Sequence, residues 1–290
     1  MPDTALALIL LSAALHAGWN LILKTSRHKL VFNICMHGFA ILVFSAWWLI
    51  VRGGIPPPQG RALALAFGGG LFFSLYHLCL TAAYERTDVS VAYPLTTTGP
   101  LYIPLWAYLF LGETPSAVGL AGIAVAFAGG YILQMREVSW VGLTLPLRQI
   151  HTPGVVLALS AGAFYSVGAV IDKRGVTVLD VFLFTYYLDV MLFAFLLGSA
   201  VLSTPARHFR EEIRRHGARA LAAGIVLFCS FITYRLGLRS AQVAYAASVR
   251  QASAVFGVLG GIFLFGERFG RVRLLGALLI AAGVAMIRMG

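Results

Sequence analysis

The sequence predicts an all-α integral membrane protein of ten transmembrane helices arranged as two inverted five-helix repeats. Three observations predict it: an apolar composition, ten apolar runs of spanning length, and self-similarity between the halves of the chain. Of 290 residues, 59% are hydrophobic and only 11% charged, against roughly 45–50% and about 25% in an average soluble domain. A soluble globule this apolar could not cover its own surface. Ten crossings of roughly 20 residues each leave no room for a sizeable extramembrane domain.

The apolar runs fall at 4–23, 31–51, 62–84, 90–111, 115–135, 153–171, 179–202, 218–236, 241–265 and 271–288, separated by charge, proline or glycine clusters. Each reads as a helix, because a bilayer requires every backbone group to be satisfied internally and none of the runs alternates like a barrel strand. The first run has no base before it, so it reads as a retained helix rather than a secretory signal. Cys35, Cys79 and Cys229 all lie inside apolar runs, which leaves neither a disulfide framework nor a CxxC pair and makes them small core residues.

The fourth run carries Tyr93-Pro94, then Thr96-Thr97-Thr98-Gly99-Pro100 and Pro104. Its prolines remove backbone donors, giving either a broken helix that lines a polar cavity or a packed kink whose threonines bond back to their own helix. Between the fourth and fifth runs, Gly112 is expected to end one helix, Thr114 to cap the next and Pro115 to suit its first turn. Glu113 would complement the positive helix end. Proton coupling by Glu113 or Glu267 is the alternative. The ninth run has no proline and carries Ser248, Arg250, Gln251 and Ser253, so the halves are chemically unequal at one site. Gly122/Gly276 and Gly257-x-x-x-Gly261 read as close helix packing.

The net charge of +11 comes from bases scattered in short loops, densest at Arg207, Arg210, Arg214, Arg215 and Arg219. Juxtamembrane bases facing anionic headgroups account for that distribution better than nucleic acid does. Weighed by the positive-inside rule, these loops favour both termini outside.

Shifting the chain by 154 residues superposes Gly112-Glu113 on Gly266-Glu267, Gly122 on Gly276, Gly129 on Gly283 and Met135 on Met289. A shift of 152 superposes Val91-Ala92-Tyr93 on Val243-Ala244-Tyr245, and Lys24 falls near Lys173. Five helices per half is odd, so the second half enters the membrane from the opposite side. The segment 136–152 is the natural join, giving repeats 1–145 and 146–290. Inverted repeats are a transporter architecture with the substrate site near the midplane between them.

These residues resemble the ten-helix, EamA-type branch of the drug/metabolite transporter superfamily. The resemblance rests on Phe110-Leu111-Gly112-Glu113 with Gly122 and Gly129, and on Leu264-Phe265-Gly266-Glu267 with Gly276 and Gly283. His16-Ala17-Gly18-Trp19-Asn20 is also similar to first-helix sequences of bacterial members. The resemblance implies secondary transport of amino acids, other metabolites, nucleotide sugars or drugs, usually by exporters or exchangers, in a bacterial inner membrane. No cofactor is expected; the expected partners are a small-molecule substrate, the lipid bilayer and, as an option, a coupling proton, with no nucleic acid.

Read from the residues, Arg250 lies about ten positions inside its run, where a charge costs at least about 2.5–3.5 kcal/mol and must find an anion. Either Asp189, the other deep charge, pairs with it, or a substrate carboxylate or phosphate does. His16, Trp19 and Asn20 share one face of the first helix. With Tyr76, His77, Tyr93, Thr97, Tyr165 and Tyr245 they are candidate walls of a substrate site, against the plainer reading of core packing. His16, His77 and Asp189 are candidate coupling groups, the histidines having interhelical hydrogen bonding as the alternative. None of Lys24, Lys29 and Lys173 follows a glycine, which excludes a P-loop ATPase, and neither G-x-S-x-G nor HExxH occurs. The expected function is secondary transport, not catalysis, of a small polar or amphipathic metabolite such as an amino acid or related organic anion. Export of hydrophobic cationic drugs, and a scaffold or lipid-translocating role, are the rivals.

Overall fold

Residues 1–26, 28–58, 60–135, 144, 150–266 and 270–290 are described by a computed structural model. The side chains of residues 89, 90, 93 and 265 are not among those described. The described residues form the helices α1 (Asp3–Lys24), α2 (Lys29–Arg52), α3 (Gly60–Arg86), α4 (Val89–Thr96), α5 (Gly99–Leu111), α6 (Ala117–Leu133), α7 (Pro153–Val178), α8 (Val181–Ser203), α9 (Ala206–Ser240), α10 (Val243–Val249), α11 (Ala252–Phe265) and α12 (Arg271–Met289). Among the described residues, eight segments are long and apolar enough to cross a membrane, α10 and α11 counting as one, and α6 is a shorter apolar helix. With α4 and α5 joined as the fourth crossing, the ten-helix architecture follows. The repeat boundary at 145/146 and Glu267 lie outside the described residues.

The packing pattern obeys the repeat. α3 packs on α7 and α1 on α9, which are equivalent contacts when the halves exchange roles; α2 with α9 and α3 with α8 form a second such pair. α6 packs against α12, its own counterpart. In the lipid phase, burial of apolar surface gives little drive for helices to associate, so close backbone approach and interhelical hydrogen bonds hold them. Ser12 and Ser230 supply such bonds between α1 and α9, each hydroxyl donating to the other's carbonyl at 2.7 and 3.0 Å.

Glycines permit the α6–α12 approach. A Cβ on Gly129 would lie 2.6 Å from Ile280 N and 2.7 Å from Gly276 O, and one on Gly122 would lie 2.8 Å from Gly283 O. Gly122 therefore faces Gly283, and Gly129 faces Gly276, because the helices cross antiparallel. Gly257 meets nothing within 4 Å, so it does not make the close contact its spacing suggested; Gly260 faces Leu21 instead. Gly129→Ala should consequently lower the melting temperature, by the about 1–3 kcal/mol typical of an overpacked contact, whereas Gly257→Ala should leave it unchanged or higher. Equal effects in a thermal melt of the two variants would refute this placement.

Two local expectations need correction. Thr114 does not cap α6; Ser116 does, its Oγ accepting from Gly119 N at 3.0 Å. The basic segment 207–219 is not a loop, for α9 begins at Ala206 and runs 35 residues. Gly112 and Gly266 end α5 and α11 with φ of 69° and 65°, a left-handed turn that favours glycine and recurs at equivalent points of the repeats.

Candidate functional site

Both half-repeats break one crossing at the same level. In the first, Thr98 N bonds Leu95 O at 3.2 Å and Leu101 N bonds Thr98 O at 2.8 Å; in the second, Gln251 N bonds Ser248 O at 3.1 Å and Ser253 N bonds Arg250 O at 3.0 Å. These are three-residue bonds that tighten the turn between α4 and α5 and between α10 and α11. Proline is thus not required for the break. The ninth crossing, predicted to differ from the fourth, bends the same way, with Arg250 in the turn.

The fourth-crossing break is closed. Thr97 and Thr98 donate to Pro94 O and Leu95 O at 2.8 and 2.7 Å, and the turn packs on Gly162 and Tyr165 of α7. Of the two readings of this segment, a kink with its threonines bonded back is what forms.

The ninth-crossing break carries the exposed chemistry. Arg250 does not pair with Asp189, and among the described residues no carboxylate pairs with it. Its Nη2 donates to His16 Nδ1 at 3.1 Å. Because guanidinium can only donate, Nδ1 accepts and the His16 proton resides on Nε2. The guanidinium lies over Tyr234 at 4.4 Å and faces Phe231 at 5.8 Å, while Trp19 meets His16 edge-on at 4.7 Å. Trp19 Nε1, Tyr234 Oη and Gln251 Nε2 are buried without a hydrogen-bond partner among the described residues. The cluster is rich in N–H and O–H groups and holds one cation that no carboxylate balances.

A second aromatic group faces it from α3 and α7. The Tyr165 ring lies 5.6 Å from Tyr76 and 5.9 Å from Phe73, and Tyr76 lies 4.9 Å from His77. α7, which carries Tyr165, also packs on α9 and α10, so the two groups border one interior region. The structure thereby brings together Arg250, His16, Trp19, Tyr76, His77 and Tyr165 from four crossings. Asn20 is beside them, its Nδ2 donating to His16 O at 2.8 Å. Tyr93 is on α4, and its side chain is outside the described residues.

Two candidates lie elsewhere. Tyr245 turns from the site: its Oη accepts from Ser116 N at 2.9 Å and its ring packs on Gly119, which anchors the α5–α6 turn. Asp189 is held by His37, whose Nδ1 is 2.6 Å from Oδ1. His37 was not singled out from the sequence, nor was the buried pair of Arg235 Nε with Asp172 Oδ1 at 2.7 Å. Phe184, Phe231 and Tyr234 line the helices around that pair.

Glu113 is a cap, though of a helix in the other repeat. Its Oε2 accepts from Val243 N at 2.8 Å, the first residue of α10. Lys173 Nζ lies 3.8 Å from its Oε1 and donates to the carbonyls of Leu238, Arg239 and Ala241. Burial pushes the Glu113 carboxyl above the ordinary range, while the Val243 N–H and Lys173 pull it back down. One end of the bundle is tied shut by this joint between the halves.

No curated protein matches the chain in sequence. A crystal structure superposes on it with a TM-score of 0.78 at 18% identity, over 100% of this chain and 98% of the other, a likeness of fold. The model of the EamA-like transporter family matches residues 3–135 and, again, 152–289. The chain therefore belongs to the EamA-like transporter family, membrane transporters of the drug/metabolite transporter superfamily.

Proposed function

We propose that the protein is a secondary transporter that exports a small organic anion or related amino-acid-like metabolite across a bacterial inner membrane by alternating access between repeats 1–145 and 146–290. One observation carries this reading: Arg250, deep in the ninth crossing, has donors to offer and no carboxylate partner among the described residues. A planar fork of charged donors beside Trp19 Nε1 and Tyr234 Oη suits a carboxylate or phosphate. The rings of Trp19, Tyr76 and Tyr165 would hold the apolar body of the substrate, with His77 at its edge and Asn20 steadying His16. Thr97 and Tyr245 serve as structural supports in this reading.

The test is a thermal-shift screen of the detergent-purified protein against carboxylates, phosphorylated metabolites, amino acids and hydrophobic cations. Ligands that bind the folded state raise its melting temperature, by about 2.7 kcal/mol of stability at a hundredfold excess over Kd. Stabilisation by carboxylates or phosphates, absent in Arg250→Gln, is the expected result. A response confined to hydrophobic cations would replace this reading with drug export, and silence across all four classes would favour a lipid-translocating or scaffold role.

A further inference from the structure

The Arg250 cluster has a neighbour that anion binding alone leaves unused. His37 on α2 and Asp189 on α8 are 2% and 0% exposed, and their Nδ1 and Oδ1 atoms are 2.6 Å apart. The other carboxylate oxygen, Oδ2, is buried without a hydrogen-bond partner among the described residues. Phe231 of α9 stands between this pair and the arginine: its ring is 6.2 Å from the His37 ring and 5.8 Å from the Arg250 guanidinium. Among the described residues, the other charged or titratable groups near the pair have assignable roles. Arg235 on α9, 5.3 Å from the same ring, is cancelled by Asp172 on α7. His77 lies on α3, and Tyr186, one turn before Asp189, shares a hydrogen bond with Ser45 of α2 at 2.8 Å.

Charge counting links the two sites. With neutral imidazoles, Arg250 contributes +1 and Asp189 contributes −1, and the Arg235–Asp172 pair contributes nothing, so the empty interior is neutral. An anion on Arg250 makes it −1, in a medium where an unbalanced charge costs several kcal/mol. A proton shared between His37 Nδ1 and Asp189 Oδ1 restores neutrality. The ammonium of a zwitterion would do so too, but Asp189 is sealed from the site, and a proton needs no room.

The geometry points to the His37–Asp189 pair as a proton-binding site that gains one proton with each anion bound at Arg250, so that a monocarboxylate and a proton cross together without net charge. This rests on the anion reading of Arg250. The proton comes from water at the open mouth, resides on the pair while the anion is bound, and leaves to the far side with it; no bond to the substrate forms or breaks. The summed gradients set direction: an acid leaves the cell whenever its outward gradient exceeds the inward gradient of protons.

Calorimetry of the purified protein with benzoate and with pyruvate, in weak buffer between pH 6 and 9, tests this. At alkaline pH, binding should take up one proton per protein, and Kd should rise tenfold per pH unit by linkage. Asp189→Asn should still bind the probe with proton uptake and pH slope both absent, and His37→Gln should lose most of both. If Asp189→Asn fails to fold, the slope in the unmodified protein and the His37→Gln variant decide. Binding without proton uptake, or uptake undiminished in the variants, overturns the proposal while leaving the Arg250 reading intact. Failure of both probes to bind overturns that reading and this one with it.

Discussion

Arg250→Gln is expected to lower substrate binding and transport roughly hundredfold while leaving the folded protein as stable as before or more so. A charge-assisted hydrogen bond is worth about 1.5–3 kcal/mol, and 1.4 kcal/mol is a factor of ten, so losing the bidentate grip on an anion accounts for two decades. Stability goes the other way, because the substitution breaks no ion pair among the described residues and removes a charge from the membrane interior. Among the described residues, the side-chain hydrogen bond lost is the one to His16 Nδ1, which glutamine can still approach as a donor. Arg250→Lys separates charge from shape: a point charge without the planar fork should recover part of the affinity, leaving about a tenfold deficit. Proteoliposome flux together with thermal melts of both variants makes the check. Unchanged kinetics in Arg250→Gln would remove this residue from the site, and a collapse of the melting temperature would mean that its role is structural.

The depth of Arg250 in its run made it legible from sequence, because a charge about ten residues inside an apolar run has to be explained. Other parts of the interior were hidden for definite reasons. Asp172 adjoins Lys173-Arg174, so hydropathy ends the sixth run at 171 and reads this charge as loop, while Arg235 falls one residue before the end of the eighth run at 236, near the 239 corner, and reads as a charge at a helix end. The helices continue to Val178 and Ser240, and the two buried side chains hide each other's charge in a way no local pattern reveals. His37 is a lone histidine in an apolar run, indistinguishable from a core residue until Asp189 appears 152 positions away. The Tyr245 hydroxyl meets Ser116 across 129 positions, whereas its sequence neighbourhood places it beside the arginine. The break in the ninth crossing lacked its usual proline marker, since a short run of three-residue hydrogen bonds makes the bend. The ten crossings and their repeat were readable throughout, because lipid imposes length and apolarity on each segment independently of its partners.

Removing one member of the Asp172–Arg235 pair should be the most destabilising single change in the interior. Arg235 Nε donates to Asp172 Oδ1 at 2.7 Å with both side chains 4% exposed, and the Arg235 guanidinium faces Phe231 at 5.3 Å and Phe184 at 5.9 Å. Its Nη1 has no hydrogen-bond partner among the described residues, so the ion pair and the ring faces are what hold the charge. Asp172→Leu would leave the arginine buried and uncompensated, a loss of about 3–5 kcal/mol, seen as a sharply lower melting temperature and poor yield of folded protein. Arg235→Leu strands the aspartate and should cost a similar amount. The double substitution Asp172→Leu with Arg235→Leu should be far milder than the sum of the singles, since it removes both desolvated charges together; a coupling of about 2 kcal/mol or more in the double-mutant cycle is expected. Additive losses would mean that the two side chains act independently, and the neutral interior on which the proton count at His37–Asp189 depends would have to be redrawn with Arg235 as a second free cation.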